Sequence, residues 1–188
     1  MNRIFSSIEI LRPLNMILCL LAVFISAWLI DGIISPLLPY AALVVFCFAG
    51  ASNILNDVLD IHIDEINRPN RVLPSGRLRI QDALILMGFL YVVGLIACTY
   101  LQPLGRQIAL ITVLPLLVLY TPLFKRVPFI GNLVVGGILG LVFLFTEGAI
   151  HGNTKTMWIP FFLATALSTI RELCKDAADM AGDSTANI

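Results

Sequence analysis

The chain has 188 residues, 59% of them hydrophobic and 13% charged, and its 12 Lys and Arg balance its 12 Asp and Glu. Soluble domains carry roughly 25% charged residues; a water-soluble core of this length cannot hide so much apolar surface, whereas several membrane spans of about 20 apolar residues can. Zero net charge argues against nucleic acid as a partner, since that partner selects a basic footprint.

The first residues, M-N-R-I-F-S-S-I-E-I-L-R-P-L-N, lack a short apolar core with a small-residue cleavage site. The first apolar run is therefore read as a retained span rather than a signal peptide. Six apolar segments are predicted, at 14–30, 37–55, 83–101, 107–124, 129–146 and 157–174. Asp31-Gly32 and Pro36 mark a short turn after the first, and Gln102-Pro103 with Gly105 divides the third from the fourth. Pro115 is expected to kink the fourth. Gly136 and Gly140 in the fifth form a small-xxx-small pair suited to close helix packing. Cys19, Cys47, Cys98 and Cys174 have no metal-site or disulfide-framework spacing and read as small apolar residues. Glu147 and His151 are read as loop residues beyond the fifth segment.

Placing the N-terminus in the cytoplasm puts Arg3, Arg12, Arg68, Arg71, Arg77, Arg79, Lys125, Arg126, Arg171 and Lys175 on that side. Only Arg106 and Lys155 fall opposite, a strong positive-inside asymmetry. The polar stretch from Asn56 to about Asp82 is the longest connection, and loops of that length are often functional.

The chemistry sits at the ends of segments two and six. Asp57, Asp60 and Asp64 form a D-x2-D-x3-D ladder, repeated by Asp176, Asp179 and Asp183. Residues three and four apart share one helix face, so each ladder gathers three like charges, which stability does not ask for. A hard divalent cation such as Mg²⁺ does, because it takes oxygen ligands and bridges carboxylates to substrate phosphates. Topology puts both ladders on the cytoplasmic side. Asn53 and Asn56 lie on or beside the first ladder and can join or orient its metal shell. Arg68 and Arg71 follow it, Lys125 stands on the third cytoplasmic connection, and Arg171 and Lys175 precede the second ladder. Acids for the metal and arginine forks for the remaining oxygens suit a diphosphate. Glu172 lies seven residues before Asp179, near the same face, and Gly182 is expected to break the last helix. His62 falls off the carboxylate face and reads as a bystander.

The run N-D-x-x-D-x-x-x-D followed by N-R-P-x-R and P-S-G, the second run K-D-x-x-D-x-x-x-D, and Y-x-x-x-x-K from Tyr120 to Lys125 resemble the UbiA-type intramembrane prenyltransferases. I-N-R-P-N-R, L-F-K-R-V-P-F-I-G-N and R-E-L-C-K-D-A-A-D-M-A-G-D most resemble the branch that builds archaeal-type ether lipids. The resemblance covers nearly the whole chain. It implies an all-α membrane protein whose six transmembrane helices belong to a UbiA-type ring that normally has nine. Residues 1–188 are then one domain that stops before the last third of the family fold. It further implies Mg²⁺-dependent transfer of a prenyl group, geranylgeranyl in this branch, from prenyl diphosphate to the hydroxyl of a prenylglyceryl phosphate. The six ladder aspartates would hold the metal, with Asn53, Asn56, Arg68, Arg71, Tyr120, Lys125, Arg171 and Lys175 around the substrates. Asp64 or Asp183 would be the base. The partners are a prenyl diphosphate, a lipid-like phosphorylated acceptor and the bilayer itself. An aromatic acceptor, as in quinone biosynthesis, is the rival within the family. An ion pathway lined by the acids and an inactive membrane fragment are the rivals outside it.

Overall fold

The computed structural model describes residues 3–31, 35–125, 127 and 129–185, with side chains up to residue 177. Among these residues all regular secondary structure is helical. A short helix α1 (Arg3–Glu9) precedes α2 (Pro13–Asp31), α3 (Leu38–Leu59) and α4 (Ile61–Asn67). An irregular loop then leads to α5 (Ile80–Cys98). The next rod is composite: α6 (Pro103–Gln107), a π-helical turn Ile108–Val113, α7 (Leu114–Leu119) and a second π-helical turn Tyr120–Phe124. The long helices α8 (Ile130–His151) and α9 (Trp158–Thr185) complete the bundle.

Helix α3 is central, packing against α2, α5 and α8. Its inner face is read at helical spacing by Ala41, Val44, Phe48, Ala51 and Ile54, all 2% exposed or less. Helices α2 and α5 turn large apolar residues outward instead, such as Leu18, Trp28, Ile85 and Phe89. That pattern fits surfaces facing lipid, where hydrocarbon rather than protein covers the outer stripe. Among the described residues five helical rods are long and apolar enough to cross a membrane: Pro13–Ile30, α3, α5, Pro103–Phe124 and α8. The sixth predicted segment forms the first part of α9, whose second part turns charged from Arg171 onward.

Gly136 and Gly140 pack as expected from their spacing. A Cβ at Gly136 would lie 2.7 Å from the Thr165 carbonyl oxygen, and one at Gly140 2.7 Å from that of Phe161. Only glycine lets α8 and α9 approach so closely. Pro115 stands in the first turn of α7, directly after the Ile108–Val113 π-turn, and proline and π-turn are both features at which helices bend.

Three further expectations change. Glu147 and His151 belong to α8 rather than to a loop. Glu147 is 2% exposed, and its carboxylate accepts the backbone N–H groups of Lys155 (3.0 Å), Thr156 (2.9 Å) and Met157 (2.9 Å). It thereby satisfies amides ahead of α9 that have no helical partner of their own. Gly152 ends α8 in the left-handed region at φ 71°. Gly182 does not break the last helix, since α9 runs through it to Thr185. Gly32 and Arg126 lie outside the described residues.

Candidate diphosphate site

The first ladder occupies a bend rather than one straight helix. Asp57 is in the last turn of α3, Asp60 sits between α3 and α4 at φ −92° and ψ 2°, and Asp64 is in α4. The backbone hydrogen bonds run on across the bend, from Asp60 N–H to Asn56 O at 2.9 Å and from Asp64 N–H to Asp60 O at 2.8 Å. The i to i+4 register therefore survives, and all three carboxylates face inward, 7%, 8% and 6% exposed.

Buried charges need partners, and each acid has one. Arg12 Nη2 donates to Asp57 Oδ1 at 2.5 Å. Arg71 Nη1 reaches Asp64 Oδ2 at 2.5 Å and the same Asp57 oxygen at 3.4 Å. Lys125 Nζ pairs with Asp60. The loop carrying Arg71 is rigidly seated: Val72, Leu73 and Leu78 are buried beneath it. Ser75 Oγ donates to Arg71 O at 2.6 Å. Arg77 closes the loop over α1, with Nη1 and Nη2 on Glu9 at 2.5 and 2.8 Å and Nη2 on Asn70 O at 2.7 Å. The Arg77 hydrogen bond holds the Glu9 carboxyl below its ordinary value.

Lys125 is delivered by the second π-turn, its N–H bonding the Tyr120 carbonyl five residues back at 2.8 Å. π-turns of this kind frequently occur at functional sites. Thr121 on that turn donates its hydroxyl to the Asn56 side-chain oxygen. Asn53 lines the same cavity as Asp60 and Asp64, its amide donating to Leu11 O at 3.0 Å. His62 is turned outward, beside Glu65 at 3.6 Å.

The second wall is α9. Arg171 Nη1 lies 2.8 Å from Glu172 and Lys175 Nζ 3.5 Å from it, and Asn132 Nδ2 of α8 donates to Asp176 Oδ2 at 2.8 Å. The side chains of Asp179 and Asp183 lie outside the described residues. A cavity of about 780 Å³ joins the two walls. Asp60, Asp64, Arg68, Arg71 and Lys125 line one side of it, and Arg171, Glu172 and Lys175 the other. Tyr120 also faces this space, and Val44, Phe48, Leu117 and Leu139 give it an apolar interior. Asp57 stands behind the lining, under Arg12 and Arg71. A smaller cavity of about 360 Å³ lies against the Asp60–Lys125 pair.

The donors available to a metal are carboxylate oxygens, the chemistry that suits Mg²⁺. Among the described residues no three acidic, histidine or cysteine side chains converge on one point. A magnesium ion held by one or two carboxylates and completed by phosphate oxygens needs no such trio, and Asp60 and Asp64 border the cavity where phosphates would enter.

The sequence singles out the ladders, Asn53, Asn56, Arg68, Arg71, Tyr120, Lys125, Arg171 and Lys175. Except for Asp57, Asp176 and the two undescribed side chains, the structure brings these around one cavity. Two further residues carry no such signal. Arg12 lies 45 positions from its acid, with no local spacing to reveal the pairing. Asn132 ends the run L-F-K-R-V-P-F-I-G-N, but only the α8–α9 contact exposes its role.

The UbiA prenyltransferase family matches residues 16–188 of the chain. Similar proteins include the digeranylgeranylglyceryl phosphate synthase of Methanosarcina mazei, 41% identical over 143 residues, covering 76% of this chain and 49% of that protein. The enzyme of the same name from Natronomonas pharaonis is 34% identical over 97% of this chain and 66% of its own length, and that of Methanococcoides burtonii 36% identical over 94% and 66%. The chain thus spans about half to two thirds of the length of these relatives. A solved structure, described as giving insights into digeranylgeranylglyceryl phosphate synthase in membranes, superposes with a TM-score of 0.85 at 30% identity, covering 98% of this chain and 66% of that one.

Proposed function

Because the chain belongs to the UbiA prenyltransferase family, we propose that it contributes the diphosphate-binding half of a prenyl transfer in ether-lipid synthesis. The donor is a prenyl diphosphate, geranylgeranyl diphosphate by analogy with the named relatives, and the acceptor is the free hydroxyl of a prenylglyceryl phosphate. The observation that carries this reading is the pairing of buried carboxylates with movable cations on the wall of one cavity that is apolar within.

Asp60 and Asp64 on the cavity wall, Asp57 behind them, and Asp176, Asp179 and Asp183 of α9 are the residues that would hold Mg²⁺. When bound, the ion supplies Lewis acidity that stabilises the departing diphosphate. The chain's own cations share that work: Arg68, Arg71, Lys125, Arg171 and Lys175 present donors to the phosphate oxygens as negative charge grows on them. Val44, Phe48, Leu117 and Leu139 accept the prenyl tail and exclude water that would quench an allylic cation. The acceptor hydroxyl loses its proton to Asp64, which lines the cavity, or to Asp183 of α9. The active-site end faces the cytoplasm in this reading, as the distribution of Lys and Arg favours.

The test offers one labelled prenyl diphosphate with a prenylglyceryl phosphate and an aromatic acid, with Mg²⁺ and with chelator. Ether product that disappears with chelator is expected. Product on the aromatic acid alone would move the assignment to quinone-type chemistry, and diphosphate release equal with and without chelator would refute the metal role.

A further inference from the structure

We propose that Arg12 is a diphosphate-binding residue, a cation brought to the donor site by the turn between α1 and α2. The proposal rests on the prenyl-diphosphate reading above and adds to it a residue that lies far in sequence from either aspartate ladder.

Three observations meet at Arg12. It lines the same cavity as Asp60, Asp64 and Arg71. Its side chain is 33% exposed there, although it pairs with an acid that is 9% exposed. Its backbone takes φ 57°, a left-handed conformation disfavoured for a residue with a Cβ. Such a conformation persists where the surroundings over-determine it, and it then points to function. The surroundings here do so. Ile10 and Ser6 are fully buried, Asn53 holds Leu11 O at 3.0 Å, Arg12 N–H bonds Glu9 O at 3.0 Å, and Glu9 is forked by Arg77.

A purely structural role, as counter-charge to Asp57, does not account for the arrangement. Arg71 already reaches the same Asp57 oxygen, so the acid keeps a partner without Arg12. What Arg12 adds is a second guanidinium on that oxygen, at the cavity wall and with donors left over. A planar fork with spare N–H groups is the group that takes phosphate oxygens two at a time. Asp57 keeps the fork at the wall until a diphosphate arrives.

The test measures equilibrium binding of inorganic pyrophosphate and of a non-hydrolysable prenyl thiolodiphosphate, each with Mg²⁺, to the full chain in lipid nanodiscs. Wild type, Arg12→Ala, Arg12→Lys and Glu9→Gln are compared, with thermal midpoints recorded in parallel. Arg12→Ala is expected to weaken both probes by about 10- to 100-fold, the loss of a charge-assisted hydrogen-bond pair. Arg12→Lys should recover part of that loss. Glu9→Gln, which loosens α1 without touching the guanidinium, should stay within about twofold of wild type. Binding by Arg12→Ala within about twofold of wild type overturns the proposal. So does an equal loss in Glu9→Gln, or a loss in Arg12→Ala matched by a fall in thermal midpoint and unrelieved by Lys, because each assigns the turn a structural role. Failure of wild type to bind the prenyl probe overturns the donor reading together with the role of Arg12.

Discussion

The two ends of the helix bundle treat buried carboxylates in opposite ways. At one end Asp57, Asp60 and Asp64 are answered by Arg12, Arg71 and Lys125, all long side chains with rotatable bonds. At the other end Glu147 is answered by the main-chain N–H groups of Lys155, Thr156 and Met157. Backbone amides cannot leave without unfolding the connection they belong to, so Glu147 is a rivet. Side-chain cations can swing from an acid to an incoming anion at little cost to the fold. Burial and charge alone do not separate a site from a scaffold; the mobility of the partner does.

Substitutions at each end would sharpen or break that contrast. The largest effect is expected from Asp60→Asn, which keeps the shape and the contact with Lys125 but removes a charge from the cavity wall. Prenyl transfer should fall by about 10²- to 10³-fold, the scale seen when one electrostatic stabiliser of a transition state is lost, while the thermal midpoint stays near wild type. A collapse in stability instead would make the ladder a structural element like Glu147. Glu147→Leu should do the reverse. It strands three amides in an apolar setting and should lower unfolding stability by about 3 kcal/mol, read by thermal or denaturant unfolding in detergent, with pyrophosphate affinity unchanged in the folded fraction. Gly140→Ala comes next. Its new methyl meets the backbone of α9, and overpacking of this kind costs about 1–3 kcal/mol; Mg²⁺ dependence should be intact because Gly140 packs on Phe161 and Thr165, about three to four turns of α9 before the second ladder. The smallest effect belongs to the exposed Glu9–Arg77 latch. The folded pKa of Glu9 is depressed, so the latch contributes above the ordinary glutamate range and is lost as pH falls through the lowered value. Protection of α1 amides from hydrogen exchange, taken relative to the intrinsic rate at each pH, should fall on acidification in wild type and be low, and less pH-dependent, in Glu9→Gln.

How much of the molecule is legible in its sequence depends on how far apart the interacting residues stand along the chain. The ladders, the arginines after the first and the Tyr120–Lys125 spacing are all local patterns, and the close packing at Gly136 and Gly140 comes from a four-residue interval. The apolar segments are equally plain, although their edges move, as from 83–101 to Ile80–Cys98. Arg12 with Asp57, Asn53 with Leu11 and Asn132 with Asp176 are pairings made by tertiary structure across more than 40 residues. No periodicity records such pairings. Glu147 misleads for a related reason: an acid near a helix end resembles a solvated loop residue until the returning chain supplies its amides.

The π-turn at Tyr120–Phe124 has one more consequence. Each residue of an α-helix advances the azimuth by about 100°, so a turn holding one extra residue sets the chain beyond it out of phase with the chain before it. The rod carrying Leu117 and Tyr120 can then keep one azimuth while Lys125 is dialled onto another, toward Asp60. Were this turn to relax to α-helical geometry with all its residues kept, the lysine would rotate by about a quarter of a circle, away from its acid, without altering any residue of the site itself. The extra residue of the turn, rather than any motif, is therefore what fixes the azimuth of the cation at the cavity.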